Sequence, residues 1–203
     1  MGIGHRQLHL IKTDWQHRFS YGGVLRNQRK GRGQRPLSSR EPVHAVFKVQ
    51  SSRLRGRSLR SSRSFLIVSQ VIQRYGAKLA VKIEQISIQN DHVHLLLRSS
   101  RRSQFGNFFR TVAGQIAQRL EREGLLLAGS EESNVTDTPS KGREKGTGLW
   151  KHRPFSRVVR GWRAYKIAKN YIQLNEQEAR GRIPYRKTRL RGLSMSEWQL
   201  LWS

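Results

Sequence analysis

The order in which the hydrophobic period changes along the chain is the feature that most constrains its fold. Apolar residues recur at every second position in four segments, as in strands, and at every third or fourth position in three others, as in amphipathic helices. The strand-like segments are 43–49, 78–89, 92–98 and 150–160, and the helix-like segments are 65–75, 105–120 and 162–178. The first six segments follow the order of the split βαβ arrangement, and one more helix comes after them.

We therefore predict an α+β, ferredoxin-like fold, in which a four-stranded antiparallel sheet carries two helices on one face and leaves the other face open. Segments 78–89 and 92–98 are predicted to form a hairpin, because residues 90–91 are Asn and Asp, which favour a tight turn. The apolar positions change parity near residues 84–85, which indicates a β-bulge. The helix before the hairpin is predicted to end at Gly76.

The charge balance predicts a nucleic-acid partner. The chain has 40 Lys and Arg against 13 Asp and Glu, a formal net charge of +27. Such a charge opposes compaction unless a polyanion neutralises it, and nucleic acid is the commonest polyanion in a cell. Basic runs without an acidic residue lie at 26–40, 53–63 and 180–191. On charge alone, a solvated surface or a ribosomal type of RNA binding stays open as an alternative.

The composition also excludes several kinds of site. Because the chain has no cysteine, it has no disulfide, no Cys-ligated zinc, no iron–sulfur cluster and no thiol nucleophile. Its apolar stretches, such as 125–128, are far shorter than the roughly 18 residues that a membrane span needs. The first residues carry no apolar signal core. We therefore expect a cytoplasmic protein without membrane contact.

Two histidines in the second strand of the predicted hairpin could bind a metal ion. Alternate residues of a strand point to opposite faces, so His92 and His94 share one face while Val93 and Leu95 share the other. The two helices would cover the apolar face, which leaves both imidazoles on the open face, close enough to ligate one ion. A His-x-His pair by itself is more often structural, so the prediction depends on further residues.

The helix after the last strand could supply those residues. Tyr171 and Asn175 are four positions apart and share one helical face, with Ala164 and Ala168 leaving room for close packing. If this helix packs on the open sheet face, the Asn175 oxygen would be a third ligand and the Tyr171 hydroxyl would lie beside the ion. Neutral nitrogen and oxygen ligands completed by water suit Mg²⁺ or Mn²⁺. The alternative is that Tyr171 is a packing residue and Asn175 a polar residue near the helix end.

These residues carry a resemblance to a known family. The matching stretches are 90–97, 108–120, 149–159 and 170–175, which include NDHVHLLL, LWKHRPFSRVV and NYIQLN. In this order they resemble the single-tyrosine transposases of the HUH superfamily, and above all their REP-associated branch. The resemblance covers about residues 42–179. Asn175 stands where some relatives have Gln, which supplies the same amide oxygen.

The resemblance implies a metal-dependent DNA transposase or endonuclease that cleaves and rejoins single-stranded or hairpin DNA. Carried onto this sequence, Tyr171 would be the catalytic nucleophile and would form a 5′-phosphotyrosine. His92, His94 and Asn175 would hold Mg²⁺ or Mn²⁺. The DNA partner would be palindromic elements near the protein's own gene, in a bacterial cytoplasm and associated with the nucleoid. Relatives include monomers and dimers, so a homodimer stays open.

Two questions stay open beside this interpretation. Tyr165 is a rival nucleophile, but at six positions from Tyr171 it points elsewhere on the helix, and Lys169 rather than an amide lies four positions beyond it. The alternative function is a non-catalytic, domesticated protein of the same fold that binds single-stranded nucleic acid. A basic ribosome-associated structural protein is a further one.

The patterns divide the chain into three regions. Residues 1–41 form a basic N-terminal arm, residues 42–180 the catalytic domain, and residues 181–203 a basic tail. Within the domain, residues 124–148 have no hydrophobic period and are predicted to form a mobile loop. Residues 198–202 form a short amphipathic piece that either docks on the body or a partner, or is a frayed terminus.

Arginines in loops and near the predicted site are expected to bind the DNA backbone. We expect phosphate contacts rather than base readout, because arginine runs give affinity without sequence information. The predicted nucleic-acid-binding residues are Arg53, Arg55, Arg57, Arg60, Arg63, Arg101, Arg102, Arg153 and Arg157.

Overall fold

The structure of the protein, a computed structural model, describes residues 19–23, 34–127 and 148–202. Its strands are β1 (Ser20–Tyr21), β2 (Val43–Lys48), β3 (Lys82–Ile88), β4 (His92–Arg98) and β5 (Phe155–Val158). Its α-helices are α1 (Ser62–Lys78), α2 (Arg102–Arg122), α3 (Trp162–Ala179) and α4 (Met195–Trp202). Two short 3₁₀ turns lie at Ser51–Arg53 and Arg189–Gly192.

The strands form one antiparallel sheet in the order β1-β5-β2-β4-β3. Strands β2 to β5 are the four predicted ones, and the predicted α+β split βαβ fold is confirmed. Strand β1 adds a fifth strand of two residues at the edge, inside the predicted basic arm. The Arg35 guanidinium helps to hold this edge, because it lies 4.8 Å from the ring centroid of Tyr21 and 4.9 Å from that of Phe109.

The main core lies between the sheet and helices α1 and α2. Alternate residues of β2 and β4 face these helices and are almost fully buried, as the period of two predicts. They are Val43, Ala45, Phe47, Val93, Leu95 and Leu97, and α2 covers them with Phe105, Phe108, Val112, Ile116 and Leu120. The other face of β4 therefore presents His92, His94 and Leu96 on the opposite side of the sheet.

Helix α1 continues past Gly76 to Lys78, so the prediction that it ends at this glycine was wrong. A Cβ atom at Gly76 would come within 2.7 Å of Ile83 Cδ1, and so the glycine lets α1 pass closely over β3. The chain turns at Ala80, which has a φ of +52°. In β3 the register shifts between Ile83 and Gln85, which confirms the predicted bulge.

The last predicted strand is shorter than its pattern, because Trp150 lies outside β5. Trp150 makes a single antiparallel bridge with Val49, and its indole Nε1–H donates to the Ala113 carbonyl at 2.9 Å. An indole ring packed under a helix gives the same apolar signal as a strand residue. Of the predicted mobile loop, residues 128–147 lie outside the described residues.

Helix α3 covers part of the second sheet face. Ile172 packs on Leu96 and Val159, and all three side chains are buried. The tail packs on α3 in turn, because Leu174 forms a buried cluster with Ile183 and Leu201. The end of the tail is thus docked on the body rather than frayed. Across the described parts of the chain, no helix is long and apolar enough to cross a membrane.

Candidate active site

Three histidines, not two, lie together on the second face of the sheet. The ring centroids of His92 and His94 are 4.7 Å apart on β4, as their spacing predicts. His44 on the neighbouring strand β2 brings its Nε2 within 3.0 Å of His94 Nδ1. The sequence analysis did not assign His44 to the site. Its parity on β2 was the available signal, because the split βαβ order places β2 beside β4.

Each ring of the predicted pair has one nitrogen engaged within the protein. His92 Nδ1 lies 2.6 Å from Asp91 Oδ1, and His94 Nδ1 faces His44. The nitrogen left over on each ring of the pair is Nε2. A partner on Nδ1 that fixes the ring and leaves Nε2 available is the usual arrangement of metal-binding histidines.

Burial keeps the two inner imidazoles neutral. The pKa of His94 falls to about 2 because of burial first, and then because of the positive charge of His44, His92 and Arg189. The pKa of His44 falls to about 4, again through burial and then through repulsion by Arg157. Neutral imidazole is the form that binds a metal. His94 therefore stays competent as a ligand throughout the physiological pH range.

Tyr171 lies directly against this cluster. Its ring centroid is 5.6 Å from that of His94 and 6.5 Å from that of His44, with both contacts edge-on. Packing of Ile172, the next residue, on Leu96 holds α3 in this position. The predicted meeting of α3 with the open face of the sheet is therefore what the structure shows.

The rival tyrosine lies in different surroundings. The Tyr165 ring stacks on Trp162 with centroids 5.4 Å apart, and the Arg98 guanidinium lies 5.4 Å from its centroid. Burial, and then the neighbouring Glu84 carboxylate, raise the pKa of Tyr165. Both effects disfavour the phenolate that a nucleophile needs.

Asn175 is buried beside the cluster, but its amide oxygen already has a partner. Arg189, from the basic tail, donates from Nη2 to Asn175 Oδ1 at 2.5 Å, while its Nη1 pairs with Glu178 at 2.8 Å. Its guanidinium also lies 5.2 Å from the ring centroid of Tyr171. The backbone carbonyl of Asn175 accepts a hydrogen bond from Gln89 at 2.8 Å. The tail thus places a cation at the oxygen predicted to bind a metal.

Imidazole nitrogen and amide oxygen are nevertheless donor types that bind divalent cations. Among the residues that the structure describes, no three His, Cys, Asp or Glu side chains cluster as metal ligands. A metal here would therefore depend on His92, His94 and the amide oxygen of Asn175. That oxygen has a second lone pair beside the one that Arg189 uses. The Asn175 Nδ2 is buried without a hydrogen-bond partner in the described part of the chain.

The predicted DNA-binding arginines divide into exposed and engaged side chains. Arg60 is used inside the fold, where Nη1 donates to the Ile88 carbonyl at 2.7 Å and pairs with Glu176 at 3.4 Å. Arg63 pairs with Glu123, and Arg53 is half-buried. The exposed ones without an ion pair in the described part of the chain are Arg55, Arg57, Arg101, Arg102, Arg153 and Arg157. Only this exposed group is placed to meet a DNA backbone without first breaking a contact in the fold.

Comparisons with known proteins bear on the fold and the family of this chain. Among solved structures, a REP-associated tyrosine transposase bound to a REP hairpin is similar, with a TM-score of 0.53 and 13% identity over 86% of this chain and 92% of that one. A candidate transposase from Deinococcus radiodurans R1 has a TM-score of 0.40 and 14% identity over 73% and 98%. At 13% identity, the first likeness concerns the fold alone. No curated protein matches the chain.

The family comparison goes further than the fold. The model of the family described as IS200-like transposases matches residues 43–175, more than half of the chain, from the start of β2 to Asn175. The matched segment contains His44, His92, His94, Tyr171 and Asn175, the side chains that the fold brings together. The resemblance to tyrosine transposases is thereby confirmed. The chain belongs to the IS200-like transposase family.

Proposed function

We propose that this transposase cleaves and rejoins single-stranded or hairpin DNA through a covalent bond between Tyr171 and a DNA phosphate. The observation that carries the proposal is the contact of the Tyr171 ring with the imidazole of His94, at 5.6 Å between centroids. A phenol beside neutral imidazoles on a basic protein is suited to attack a phosphodiester. Tyr165 has no such neighbour in its described contacts with Trp162 and Arg98.

The proposed reaction exchanges one phosphate ester bond for another. The Tyr171 hydroxyl loses its proton to solvent, its oxygen bonds to the phosphorus, and the bond from phosphorus to the 3′ oxygen breaks. The 3′ oxygen leaves and takes up a proton, while the 5′ phosphate stays on Tyr171. Attack by a free 3′-hydroxyl on this phosphotyrosine reverses the step and rejoins DNA. Because one phosphate ester bond forms for each one that breaks, strand transfer needs no external energy source.

His92, His94 and Asn175 would hold the divalent cation. A bound Mg²⁺ or Mn²⁺ would neutralise charge on the attacked phosphate and orient it. The carboxylate of Asp91 fixes the His92 ring at 2.6 Å, and His44 fixes the His94 ring at 3.0 Å. The chain's own contribution is thus to fix the orientation of these two imidazoles on the sheet face that Tyr171 packs on.

Hairpin or single-stranded DNA is the proposed substrate. The similar solved structure is that of a transposase bound to a REP hairpin. The net charge of +27 and the exposed arginines supply the affinity for a polyanion. We propose palindromic elements near the protein's own gene as the target, in a bacterial nucleoid. The proposed reaction is compatible with a monomer and with a homodimer.

The test is covalent capture. The protein is incubated with labelled hairpin-bearing single strands and Mn²⁺ or Mg²⁺, and the products are separated under denaturing conditions. We expect an adduct that is lost in Tyr171→Phe and on chelation, and that persists in the matched control Tyr165→Phe. An adduct that survives Tyr171→Phe would overturn the assignment. Tight, salt-sensitive binding without any adduct would instead support a non-catalytic binding protein.

A further inference from the structure

A cavity of about 420 Å³ opens on the side of Tyr171 that faces β5. Its floor is formed by Val158 and Val159 at the end of β5, and its far wall by Phe19, next to β1. The near wall is the face of α3 that carries Ala164 and Ala168, which are one helical turn apart. Two small side chains on one face keep the helix from filling this space. The two alanines of α3 therefore leave the space that becomes the cavity.

The cavity lining combines apolar side chains with positive charge. The walls are apolar, and the charged groups at the cavity are the guanidinium groups of Arg157 and Arg160. No acidic residue lies among the lining residues in the described parts of the chain. The Arg160 guanidinium lies 4.9 Å from the ring centroid of Phe19, so charge and aromatic surface meet at the same wall. His44 and Tyr171 close the cavity on the side of the catalytic cluster.

A lining of this kind suits a flat aromatic ring that carries a phosphate. A volume of this size lies within the range of small-molecule sites, roughly 300–1,000 Å³, and is larger than a lone phosphate needs. Apolar and aromatic walls stack on a nucleobase whatever its identity, and arginines at the edge bind the phosphates on either side. Tyr171 lines the cavity, so a base held there would adjoin the phosphate that Tyr171 meets.

We propose that this cavity binds one nucleobase of the DNA strand, next to the phosphate attacked by Tyr171. The position of that phosphate rests on the proposed function, whereas the binding of a base does not. The base leaves the stack and enters between α3 and β5, and the arginines bind its backbone. A base held in the cavity then places the adjoining phosphate at Tyr171.

The experiment separates base binding from phosphate binding. Affinities are measured with metal chelated, so that the result does not depend on cleavage, for a mixed-sequence single-stranded hexanucleotide and for an abasic strand with the same number of phosphates. Ala168→Leu fills the cavity, and Ala77→Leu, the same change at an exposed position of α1, is the matched control. We expect Ala168→Leu to weaken the base-bearing strand by about fivefold or more and to leave the abasic strand unchanged.

Further variants make the outcome decisive. Ala164→Leu fills the same wall and replaces Ala168→Leu if that variant does not fold. Arg160→Gln should weaken both strands, because it removes a charge that the phosphates of either strand would meet. Equal effects of Ala168→Leu and Ala164→Leu on both strands, or no effect on either, would overturn the proposal. A Tyr171 adduct that fails to form would count against the proposed function but would not alter these ratios.

Discussion

At the scale of single residues, the site depends on how each imidazole is kept in one protonation state. His44 and His94 face each other at 3.0 Å inside the protein, and burial lowers the pKa of both. A charged pair in this place would carry two like charges in a poorly solvated site. The two histidines therefore stay neutral at neutral pH, at a cost in stability that appears when the pH falls.

That cost predicts a pH dependence of stability. The unfolded chain takes up a proton on His44 below its ordinary pKa of 6.5, but the folded chain does so only near pH 4. Stability is therefore lost as the pH falls from about 6.5 towards 4, by about 2 kcal/mol for His44 at pH 5. Denaturant unfolding at pH 7 and pH 5 measures it. His44→Asn should lose less stability over this interval than the wild type, and an equal loss in both would contradict the account.

Arg189 is the second single residue with a marked effect on the site, and we expect its positive charge to oppose metal binding. Its guanidinium donates to the Asn175 oxygen at 2.5 Å, so a divalent cation at that oxygen would lie beside a fixed positive charge. We expect Arg189→Gln, which keeps a hydrogen-bond donor but removes the charge, to tighten Mn²⁺ binding by about tenfold. Calorimetric titration of the full chain measures the affinity.

The matched control is another tail arginine with an ion pair. Arg186 bonds to Glu197 at 2.8 Å, and none of its hydrogen bonds and ion pairs in the described part of the chain reaches Asn175 or Tyr171. Arg186→Gln should leave the Mn²⁺ affinity unchanged. If Arg189→Gln binds Mn²⁺ no more tightly than the wild type, the tail does not compete with the metal.

The sequence identifies some of these residues and misses others for a physical reason. His92, His94, Tyr171 and Asn175 lie at fixed spacings within one strand and one helix, so local periodicity places them. Contacts between distant segments bring in the remaining two. His44 enters through the pairing of β2 with β4, and Arg189 through the docking of the tail on α3. The parity of His44 shows which sheet face it occupies, but only the strand order brings it to His94, and the contact of Arg189 has no local pattern at all.

At the scale of elements, the sheet has a different partner on each face, and Leu95 and Leu96 show the division. Both side chains are fully buried, Leu95 against α1 and α2 and Leu96 against Ile172 of α3. Adjacent residues of one strand thus serve two separate interfaces. The first interface holds the domain together, and the second holds Tyr171 against the histidines.

This division predicts different consequences for two equal truncations. Leu95→Ala and Leu96→Ala should each cost about 2–5 kcal/mol in the free energy of unfolding. At a temperature where both variants are folded, only Leu96→Ala should slow formation of the DNA adduct, because it loosens α3 over the site. Unfolding curves and adduct rates of the two variants measure this. Equal rates would show that α3 does not need this contact to position Tyr171.

The ends of helices and strands are hardest to predict from the sequence where tertiary packing determines them. The bulge in β3 is visible in the parity of its apolar residues, because each side chain must face the core or the site. The end of α1 is not visible, because Gly76 is required by the close approach of Ile83 and not by a turn. Strand β1 has only two residues, Ser20 and Tyr21, too few for any period to show.

At the scale of the whole molecule, the net charge of +27 is divided between internal ion pairs and an exposed surface. Arginines such as Arg60 and Arg98 are neutralised by Glu176 and Glu84 within the fold. Exposed arginines such as Arg157 are available to phosphates. The fold thus decides which part of the charge can bind DNA, which composition alone cannot do.

The salt dependence of DNA binding tests this division. For a single strand, the logarithm of the affinity should fall with the logarithm of the salt concentration, by about 0.7 for each phosphate neutralised. Arg157→Gln should make the slope less steep by about that amount. Arg60→Gln should leave the slope unchanged, because Arg60 is paired inside the protein. The reverse pattern would place the DNA on a different surface.

The measurement that tests the central claim most directly is the identity of the residue that carries the DNA. After adduct formation, nuclease digestion leaves a short nucleotide remnant, and trypsin cuts after Lys169 and Arg180 to give the peptide 170–180. Tyr165 falls in a separate peptide, 164–166. The account predicts a remnant on 170–180, fragmenting at Tyr171. A remnant on 164–166, or on any peptide without Tyr171, would contradict it.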